Sequence, residues 1–239
     1  MTYRFLQNGD TAVTVQFKEE ISKEVNACVT SLSDMLENAN ISGVIEVIPT
    51  FTSLTVIYNP VIISSKTLKK KIKALVSKIK ENDSKGSVIY RIPVCYEDEF
   101  SLDMDNVCRH TGLTRDEVIG IHTSSDYLIY MLGFLPGFAY LGGMDSRLAT
   151  PRLSSPRLEI FEGAVGIGGE QTGIYPVASP GGWQLIGKTP VKVYDREREN
   201  PILYKAGDYI RFFSVSYGEY LEIEKAVKNG SYSVERTVR

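Results

Sequence analysis

Residues 164–176 read AVGIGGEQTGIYP, and they lie within residues 133–190, a stretch that holds 12 of the 20 glycines and 6 of the 10 prolines. Beyond Asp126 the helical period disappears, and short apolar runs alternate with Gly and Pro. Short runs punctuated in this way are typical of strands joined by tight turns. The second half of the chain is therefore predicted to form a β-barrel or a β-sandwich.

The predicted strands of this half are short apolar runs with turn residues between them. They are Tyr127–Leu132, Ala164–Ile167, Trp183–Ile186, Val191–Tyr194 and Tyr209–Phe213. Ahead of them, two short helices are predicted at Asp103–Thr111 and Arg115–His122, with Thr114 as the N-cap of the second.

The first ninety residues have a regular periodicity instead. Val13–Phe17 alternates as a half-buried strand does, and apolar residues recur at helical spacing over Ile21–Met35. Two further strands are predicted at Val44–Ile48 and Leu54–Tyr58, followed by a second helix with its apolar stripe over Leu68–Ile79. This β-α-β-β-α order is the split βαβ, or ferredoxin-like, pattern.

The segment Asn82–Ser87 has the polar composition of a linker. The predicted domains are therefore residues 1–87, a ferredoxin-like α/β domain, and residues 88–239, a β-rich domain. The strand-like run Val88–Val94 either closes the first sheet or begins the second domain, and the sequence leaves both arrangements open.

Composition excludes several classes of protein. A formal net charge of −2 gives no basic surface for nucleic acid. Three cysteines without a CxxC pair predict neither a disulfide framework nor a thiolate zinc site. No apolar run has the length of a signal peptide or a membrane span, so a cytoplasmic location is expected.

Residues 182–189, Gly-Trp-Gln-Leu-Ile-Gly-Lys-Thr, match the nucleotide-binding pattern GxxxxGK[ST]. A working loop of this type follows a strand and opens a helix, so that backbone N–H groups surround the phosphates. Here the loop interior favours a strand, and Pro190 disfavours helical angles at Thr189. The match is therefore predicted to be a barrel strand.

Two other segments are candidates for anion binding. Residues Gly166–Gly173 form either a backbone nest for phosphate or carboxylate, or a glycine-rich barrel corner. Arg152 and Arg157 lie in a proline-stiffened segment, and they either capture carboxylate or phosphate or form ion pairs with Glu159 or Glu162.

The remaining candidates are single side chains. His122 precedes the strand that leads into the glycine-rich region, so it either faces a pocket or makes a hydrogen bond at a helix end. Trp183 either walls an apolar pocket or fills the core. No HExxH, GxSxG or metal-spaced Cys/His cluster occurs in the sequence, which argues against a zinc hydrolase.

Taken together, the motifs of residues 133–190 resemble those of a known family. They are GFLPGFAYLGG at 133–143, PRL at 151–153, PR at 156–157, GIGG at 166–169, QTGIYP at 171–176, SPGGW at 179–183 and IGKTP at 186–190. Members of this family are variously called the B subunit of 5-oxoprolinase, allophanate hydrolase subunit 1, or the KipI-type inhibitor of a sporulation histidine kinase.

The resemblance implies an α+β chain with a small ferredoxin-like α/β N-terminal domain and a cyclophilin-like β-barrel domain. It implies a complex with the A and C subunits of 5-oxoprolinase that opens the lactam of 5-oxoproline to L-glutamate while ATP is hydrolysed to ADP and phosphate. ATP, with Mg²⁺, would bind this chain or a partner. Amide activation needs cations and N–H donors aimed at developing negative charge.

The site expected from the residues and the resemblance has two parts. The catalytic group is His122, Arg152 and Arg157. The substrate-binding group is Gly168, Gly169, Gln171, Thr172, Tyr175 and Trp183.

The sequence departs from the usual family motifs at two places, and two other functions stay open. Residues 160–163 read IFEG where the family usually has a Val-Pro-Ala-Gly-like segment, and Lys188 stands where Arg is more common. The alternative function is inhibition of a histidine kinase by binding, without catalysis. Hydrolysis of allophanate or of another urea-linked amide is the third.

Overall fold

The computed structural model describes residues 2–79 and 86–239. The chain divides into two compact units, residues 1–85 and residues 86–239. The boundary predicted after residue 87 lies beside this division, and most of the predicted linker Asn82–Ser87 falls outside the described residues.

Over residues 2–79, the first unit contains four strands and two helices. The strands are β1 (Arg4–Asn8), β2 (Ala12–Gln16), β3 (Val44–Pro49) and β4 (Ser53–Tyr58), and the helices are α1 (Lys23–Ala39) and α2 (Ser65–Val76). The strands form one antiparallel sheet in the order β1-β2-β4-β3. Alternate residues of β2 and β4 are fully buried, among them Val13, Val15, Leu54 and Val56.

Both helices begin at a serine whose side chain accepts a backbone N–H bond. Ser22 Oγ accepts from Val25 at 3.3 Å, and Ser64 Oγ accepts from Thr67 at 3.2 Å. Each helix then buries one apolar stripe against the sheet. The fully buried members are Val29, Leu32, Leu68 and Ile72. Both predicted helices are present. The buried stripe of α1 is shifted from the predicted one, since Ile21 precedes the helix and is exposed, and α2 ends at Val76, before the predicted end at Ile79.

The predicted β-α-β-β-α order missed β1. This strand pairs with β2 and occupies the sheet edge that the closing strand of a ferredoxin-like domain would take. Arg4, Leu6, Gln7 and Asn8 are all exposed, so the strand has no alternation of buried and exposed residues that the sequence could reveal. The run from Val88 belongs to the second unit instead, and the observed order is β-β-α-β-β-α.

The second unit contains ten strands, three helices and one short 3-10 helix. The strands are β5 (Val88–Cys95), β6 (Tyr127–Leu132), β7 (Ala139–Gly142), β8 (Arg157–Ile160), β9 (Ala164–Gly168), β10 (Gln171–Ile174), β11 (Ser179–Gly181), β12 (Gln184–Lys188), β13 (Tyr209–Val215) and β14 (Arg236–Val238). The helices are α3 (Met104–Thr111), α4 (Arg115–Thr123) and α5 (Tyr217–Lys228), and the 3-10 helix is Ser146–Leu148.

Eight of these strands form a nearly closed β-barrel. Their order is β10-β9-β12-β5-β13-β6-β7, and β14 also pairs with β5. The two end strands meet, because a Cβ on Gly173 of β10 would lie 3.4 Å from the carbonyl oxygen of Ala139 in β7. The remaining two strands, β8 and β11, form a separate ribbon. The prediction of a barrel is confirmed.

The barrel encloses the main apolar core of this unit, which includes Val165, Ile167, Ile186, Ile210 and Phe212. Most of the predicted barrel strands are present. The run Val191–Tyr194 is an exception, since it forms only an isolated bridge between Tyr194 and Ile202. Within the described parts of the chain, no helix is both long enough and apolar enough to cross a membrane.

Candidate functional site

Trp183 lies flat against the hairpin formed by β9 and β10. A Cβ on Gly168 would lie 2.4 Å from the indole Nε1, and one on Gly173 would lie 3.1 Å from the ring. A Cβ on Gly166 would lie 3.3 Å from the Cβ of Trp183. The contact at Gly168 is too short for any side chain and those at Gly173 and Gly166 are tight, so the indole packs directly on the backbone of the hairpin.

The segment Gly166–Gly173 is this hairpin, with Gly169 at the turn in the left-handed region at φ +66°. The Gly169 N–H donates to the carbonyl oxygen of Thr150 at 2.8 Å. That amide is therefore already bonded, and the segment has the form of the glycine-rich corner. Substrate contact by Gly168 and Gly169 stays a prediction.

Arg152 extends over the outer face of Trp183, with its guanidinium carbon 5.9 Å from the ring centroid. Its backbone is fixed on both sides. Gln184 Nε2 donates to the carbonyl oxygen of Pro151 at 2.9 Å, and the Leu153 N–H donates to Gly182 at 2.7 Å. Arg152 is exposed, and across residues 2–79 and 86–239 no carboxylate forms an ion pair with it. It is a positioned cation with its charge available.

Tyr175 packs edge-on against Trp183, with ring centroids 6.2 Å apart. Burial raises the pKa of its phenol, while the neighbouring Trp183 backbone N–H and the charges of Arg152 and Arg157 act in the opposite direction. The phenol thus stays protonated at neutral pH. Gly181 leaves room for it, because a Cβ there would come within 2.5 Å of the Tyr175 oxygen.

Arg157 is held by a carboxylate that the sequence did not reveal. Its Nη1 and Nη2 atoms donate to Oδ2 and Oδ1 of Asp103 at 2.9 and 2.7 Å. Asp103 is 3% exposed and also accepts the Leu185 N–H at 2.7 Å. The predicted ion pair of Arg157 exists, but its partner is Asp103 rather than Glu159 or Glu162. Asp103 is 54 residues away in sequence, so no local spacing could have identified the pair.

His122 is fully buried inside the unit, and its ring stacks on Phe212 at 4.6 Å. Its Nδ1 lies 2.7 Å from the hydroxyl of Tyr96 and its Nε2 lies 2.8 Å from the hydroxyl of Thr172. Burial lowers the pKa of the imidazole from 6.5 to about 3, so the ring is neutral at pH 7.

The hydrogen bonds around His122 fix its tautomer. The hydroxyl of Thr172 donates to the carbonyl oxygen of Gly166 at 3.1 Å, so it must accept from His122 Nε2–H. Nδ1 then accepts from Tyr96, which burial keeps protonated by raising the pKa of its phenol. Because both ring nitrogens are satisfied and no ring atom is exposed, His122 does not face a pocket. A hydrogen bond at the helix end is present, but the backbone of His122 makes it: the Tyr127 hydroxyl donates to the His122 carbonyl at 2.8 Å.

The structure separates the expected site residues onto two sides of the β9–β10 hairpin. Side chains of β10 alternate, so Gln171 points to the same side as Gly173, against which Trp183 lies. Thr172 points to the opposite side, toward His122. The group on the Trp183 side is therefore Arg152, Gln171, Tyr175 and Trp183, with Arg157 beside it, whereas His122 and Thr172 lie on the opposite side. Trp183 and Tyr175 are buried in a second apolar cluster with Phe138, so Trp183 fills a core, and Arg152 is the exposed member of the group.

Lys188, the lysine of the GxxxxGK[ST] match, ends strand β12. No helix follows it, so the predicted barrel strand is present. Its ammonium lies over the rings of Phe100, Phe161 and Tyr220, at 5.1, 5.4 and 5.6 Å from their centroids. In the described ranges, no group of three or more His, Cys, Asp or Glu residues is arranged to hold a metal ion.

Comparison with known proteins agrees with the family expected from the motifs. The carboxyltransferase domain family, subdomain C and D, matches residues 3–204. A Bacillus subtilis protein, named as the B subunit of 5-oxoprolinase, is 44% identical over 228 residues, which cover 91% of this chain and 95% of the relative. An Escherichia coli O157:H7 protein of the same name is 37% identical, over 85% of this chain and 92% of the relative.

A solved structure extends the likeness to three dimensions. The crystal structure of TTHA0988 superposes with a TM-score of 0.77 at 33% identity, over 86% of this chain. This chain spans only 40% of the length of that one, so the fold there is part of a longer polypeptide. By the match of residues 3–204 and the identity to relatives over nearly their whole length, the chain belongs to the carboxyltransferase-domain family that contains the B subunits of 5-oxoprolinase.

Proposed function

We propose that the chain is the B subunit of an ATP-dependent 5-oxoprolinase complex, and that Arg152 binds the anionic part of its substrate or intermediate. The observation that carries the proposal is the guanidinium of Arg152, held over Trp183 without a carboxylate partner among the described residues. Arginine binds carboxylate and phosphate through two parallel N–H bonds, so a free and positioned guanidinium suits either group. The relatives named as B subunits of 5-oxoprolinase support the choice of reaction.

The chemistry needs an activated amide. A five-membered lactam resists hydrolysis, and transfer of the γ-phosphoryl group of ATP to its oxygen makes that oxygen part of a leaving group. The phosphoryl transfer releases ADP. Addition of one water and cleavage of the C–N bond then open the ring to γ-glutamyl phosphate, and a second water hydrolyses this acyl phosphate to L-glutamate and phosphate. The task of this chain is to hold the carboxylate or the developing negative charge with Arg152, while Gln171 and Tyr175 donate hydrogen bonds.

ATP and Mg²⁺ are proposed to bind a partner in the complex. The segment that matches a nucleotide loop is a strand, and the described residues hold no acidic or histidine cluster suited to a metal ion. No step on this chain is therefore assigned to the magnesium ion. In the same proposal, Arg157 orients the ribbon of β8 and β11 through Asp103, so it positions the site rather than meeting the substrate.

His122 is proposed to act as a positioning residue instead of a proton relay. Through Nε2–H it holds the hydroxyl of Thr172, which in turn bonds the Gly166 carbonyl across the hairpin. This contact fixes the register of the two strands on which Trp183 lies. A neutral, fully buried ring has no path for its proton to a substrate on the outer side.

The test is reconstitution with the presumed A and C subunits, followed by parallel measurement of ADP and glutamate. We expect ADP and glutamate in equal amounts, and only when 5-oxoproline and all three subunits are present. ADP release without glutamate, or turnover that does not need this chain, contradicts the proposal. Allophanate and urea, each tested alone and as competitors, separate the proposed reaction from hydrolysis of urea-linked amides.

A further inference from the structure

Phe134 combines two features that rarely occur together. Its backbone is in the left-handed region at φ +68°, where a bulky side chain is unfavourable, and its ring is 66% exposed. Within the described residues, the one other non-glycine with positive φ is Asn40, a residue type that tolerates this conformation. An exposed ring makes few contacts that could repay such a backbone. Packing within the unit therefore does not explain the backbone conformation of Phe134.

The loop around Phe134 is rigid enough to hold this conformation. The Leu135 N–H donates to the Gly133 carbonyl at 2.8 Å, and the Phe138 N–H donates to the Leu135 carbonyl at 2.9 Å. Gly137, at φ +81°, closes the loop against Tyr194, where a Cβ would come within 2.9 Å. Phe134 is thus presented outward in a fixed direction.

Phe134 is connected to the proposed site by aromatic contacts. Its ring meets Phe138 edge-on with centroids 5.7 Å apart, and Phe138 meets Trp183 in the same way at 5.6 Å. Trp183 carries Arg152 on its outer face. The exposed ring is therefore the outermost member of the aromatic cluster that supports Arg152.

We propose that Phe134 is an anchor for a partner protein of the complex, which receives the ring in an apolar recess beside the proposed site. This inference rests on the proposed function, since it takes the partners to be the other subunits of the complex. Residues 133–138, Gly-Phe-Leu-Pro-Gly-Phe, have no polar side chain, so this tip offers nothing to a small polar substrate and suits an apolar surface. Exposed aromatic residues that become buried are frequent anchors of protein interfaces.

The solved relative supports a protein as the occupant. In TTHA0988 the same fold occupies 40% of a longer chain, so that fold exists there beside further polypeptide. Here a separate chain of the complex would supply the facing surface. The strained backbone is then explained as presentation of the ring in advance of binding, which lowers the entropy lost on association.

The experiment uses the full chain and the purified presumed A and C subunits. Titration calorimetry measures how tightly these subunits bind four forms of the chain: the wild type, Phe134→Ala, Phe134→Gly and the control Leu221→Ala. Leu221 is 45% exposed on helix α5. We expect both Phe134 variants to bind at least about 10-fold more weakly and the control to bind as the wild type does. Thermal unfolding of the free chains should give a Tm for Phe134→Gly about 2–4 °C above that of Phe134→Ala, because glycine relieves the backbone.

Three results contradict the proposal. Phe134 is not an anchor if both Phe134 variants bind with wild-type affinity, or if the wild type does not bind. Equal Tm values for the Gly and Ala variants would show that the backbone at residue 134 is not strained. The proposed function is tested separately. A complex that assembles through Phe134 but forms no glutamate from 5-oxoproline would support the anchor and contradict the proposed reaction.

Discussion

Arg157 and Asp103 form a bidentate ion pair, with N–O distances of 2.7 and 2.9 Å, between strand β8 and the residue that precedes helix α3. The carboxylate is buried and the guanidinium side chain is 28% exposed. Arg152, five residues earlier, has no such partner among the described residues. The two arginines that look equivalent in sequence therefore differ in the structure: Arg157 is bound to a buried carboxylate, and Arg152 has its charge available for the binding role proposed for it.

Replacement of Arg157 is expected to destabilise the chain. Arg157→Ala leaves a buried carboxylate with two neutral donors, the Leu185 N–H at 2.7 Å and Asn106 Nδ2 at 3.5 Å, which should lower the free energy of unfolding by about 2–3 kcal/mol. Urea denaturation measures the change. The matched control is Arg196→Ala, which removes an exposed pair with Glu197 and should change stability by less than about 0.5 kcal/mol. Equal stability of the Arg157→Ala variant and the wild type would show that the pair does not hold the fold.

His122 should make the stability of the chain depend on pH. The pKa of its ring is lowered from 6.5 to about 3 by burial, so the unfolded chain binds a proton that the folded chain does not bind between these values. The stabilising contribution is complete above pH 6.5 and is lost as the pH falls toward 3. The slope should reach about 1.4 kcal/mol per pH unit.

Urea denaturation at pH 7, 6 and 5 tests this dependence. His122→Gln should be less stable at pH 7 and should show a shallower slope than the wild type. His110→Gln is the control, because His110 is the chain's other histidine and is exposed. A wild-type slope that survives in His122→Gln would assign the pH dependence to other groups.

Gly168 is expected to tolerate no side chain. A Cβ would lie 2.4 Å from the Trp183 indole, so Gly168→Ala must displace the ring and should lower stability by about 1–3 kcal/mol. Because Trp183 is the only tryptophan, its fluorescence reports the displacement directly. Gly120→Ala in helix α4 is the control, since a Cβ there meets nothing within 4 Å. An unchanged emission maximum in Gly168→Ala would rule out the close contact.

Lys188 is expected to have no part in ATP binding. Lys188→Met keeps an apolar chain among Phe100, Phe161 and Tyr220 and removes the charge that a nucleotide loop would need. In the reconstituted complex, the KM for ATP should stay within about twofold of the wild type, whereas loss of a true phosphate-binding lysine raises it far more. A rise of about 100-fold would restore the nucleotide-loop interpretation.

The sequence predicted the parts of the fold that have a local signal. Apolar periodicity identified α1 and α2, and the glycine and proline spacing identified the barrel strands β6, β9, β12 and β13 but not β7, β10 or β14. Strand β1 was not predicted, because its residues are nearly all exposed and show no alternation of buried and exposed positions. The choice between strand and nucleotide loop for residues 182–189 could be made because Pro190 has a local effect.

The candidate site was predictable only in part, because its contacts join distant residues. The structure places Arg152 and Tyr175 against Trp183. The pairing of Arg157 with Asp103, and the burial of His122 between Tyr96 and Thr172, depend on how the barrel closes. The role of the glycines as a platform for Trp183 likewise follows from the packing of the β9–β10 hairpin against the indole.

The kcat/KM for 5-oxoproline-dependent ADP release, compared among Arg152→Ala, Arg152→Lys and wild-type complexes, tests the central claim about Arg152 most directly. We predict a loss of at least about 100-fold for Arg152→Ala and an intermediate loss for Arg152→Lys, because lysine keeps the charge without the two parallel N–H bonds. The Tm of each variant should equal that of the wild type, since Arg152 is exposed and has no ion-pair partner in the described chain. A wild-type kcat/KM in Arg152→Ala would show that Arg152 does not bind the anionic group.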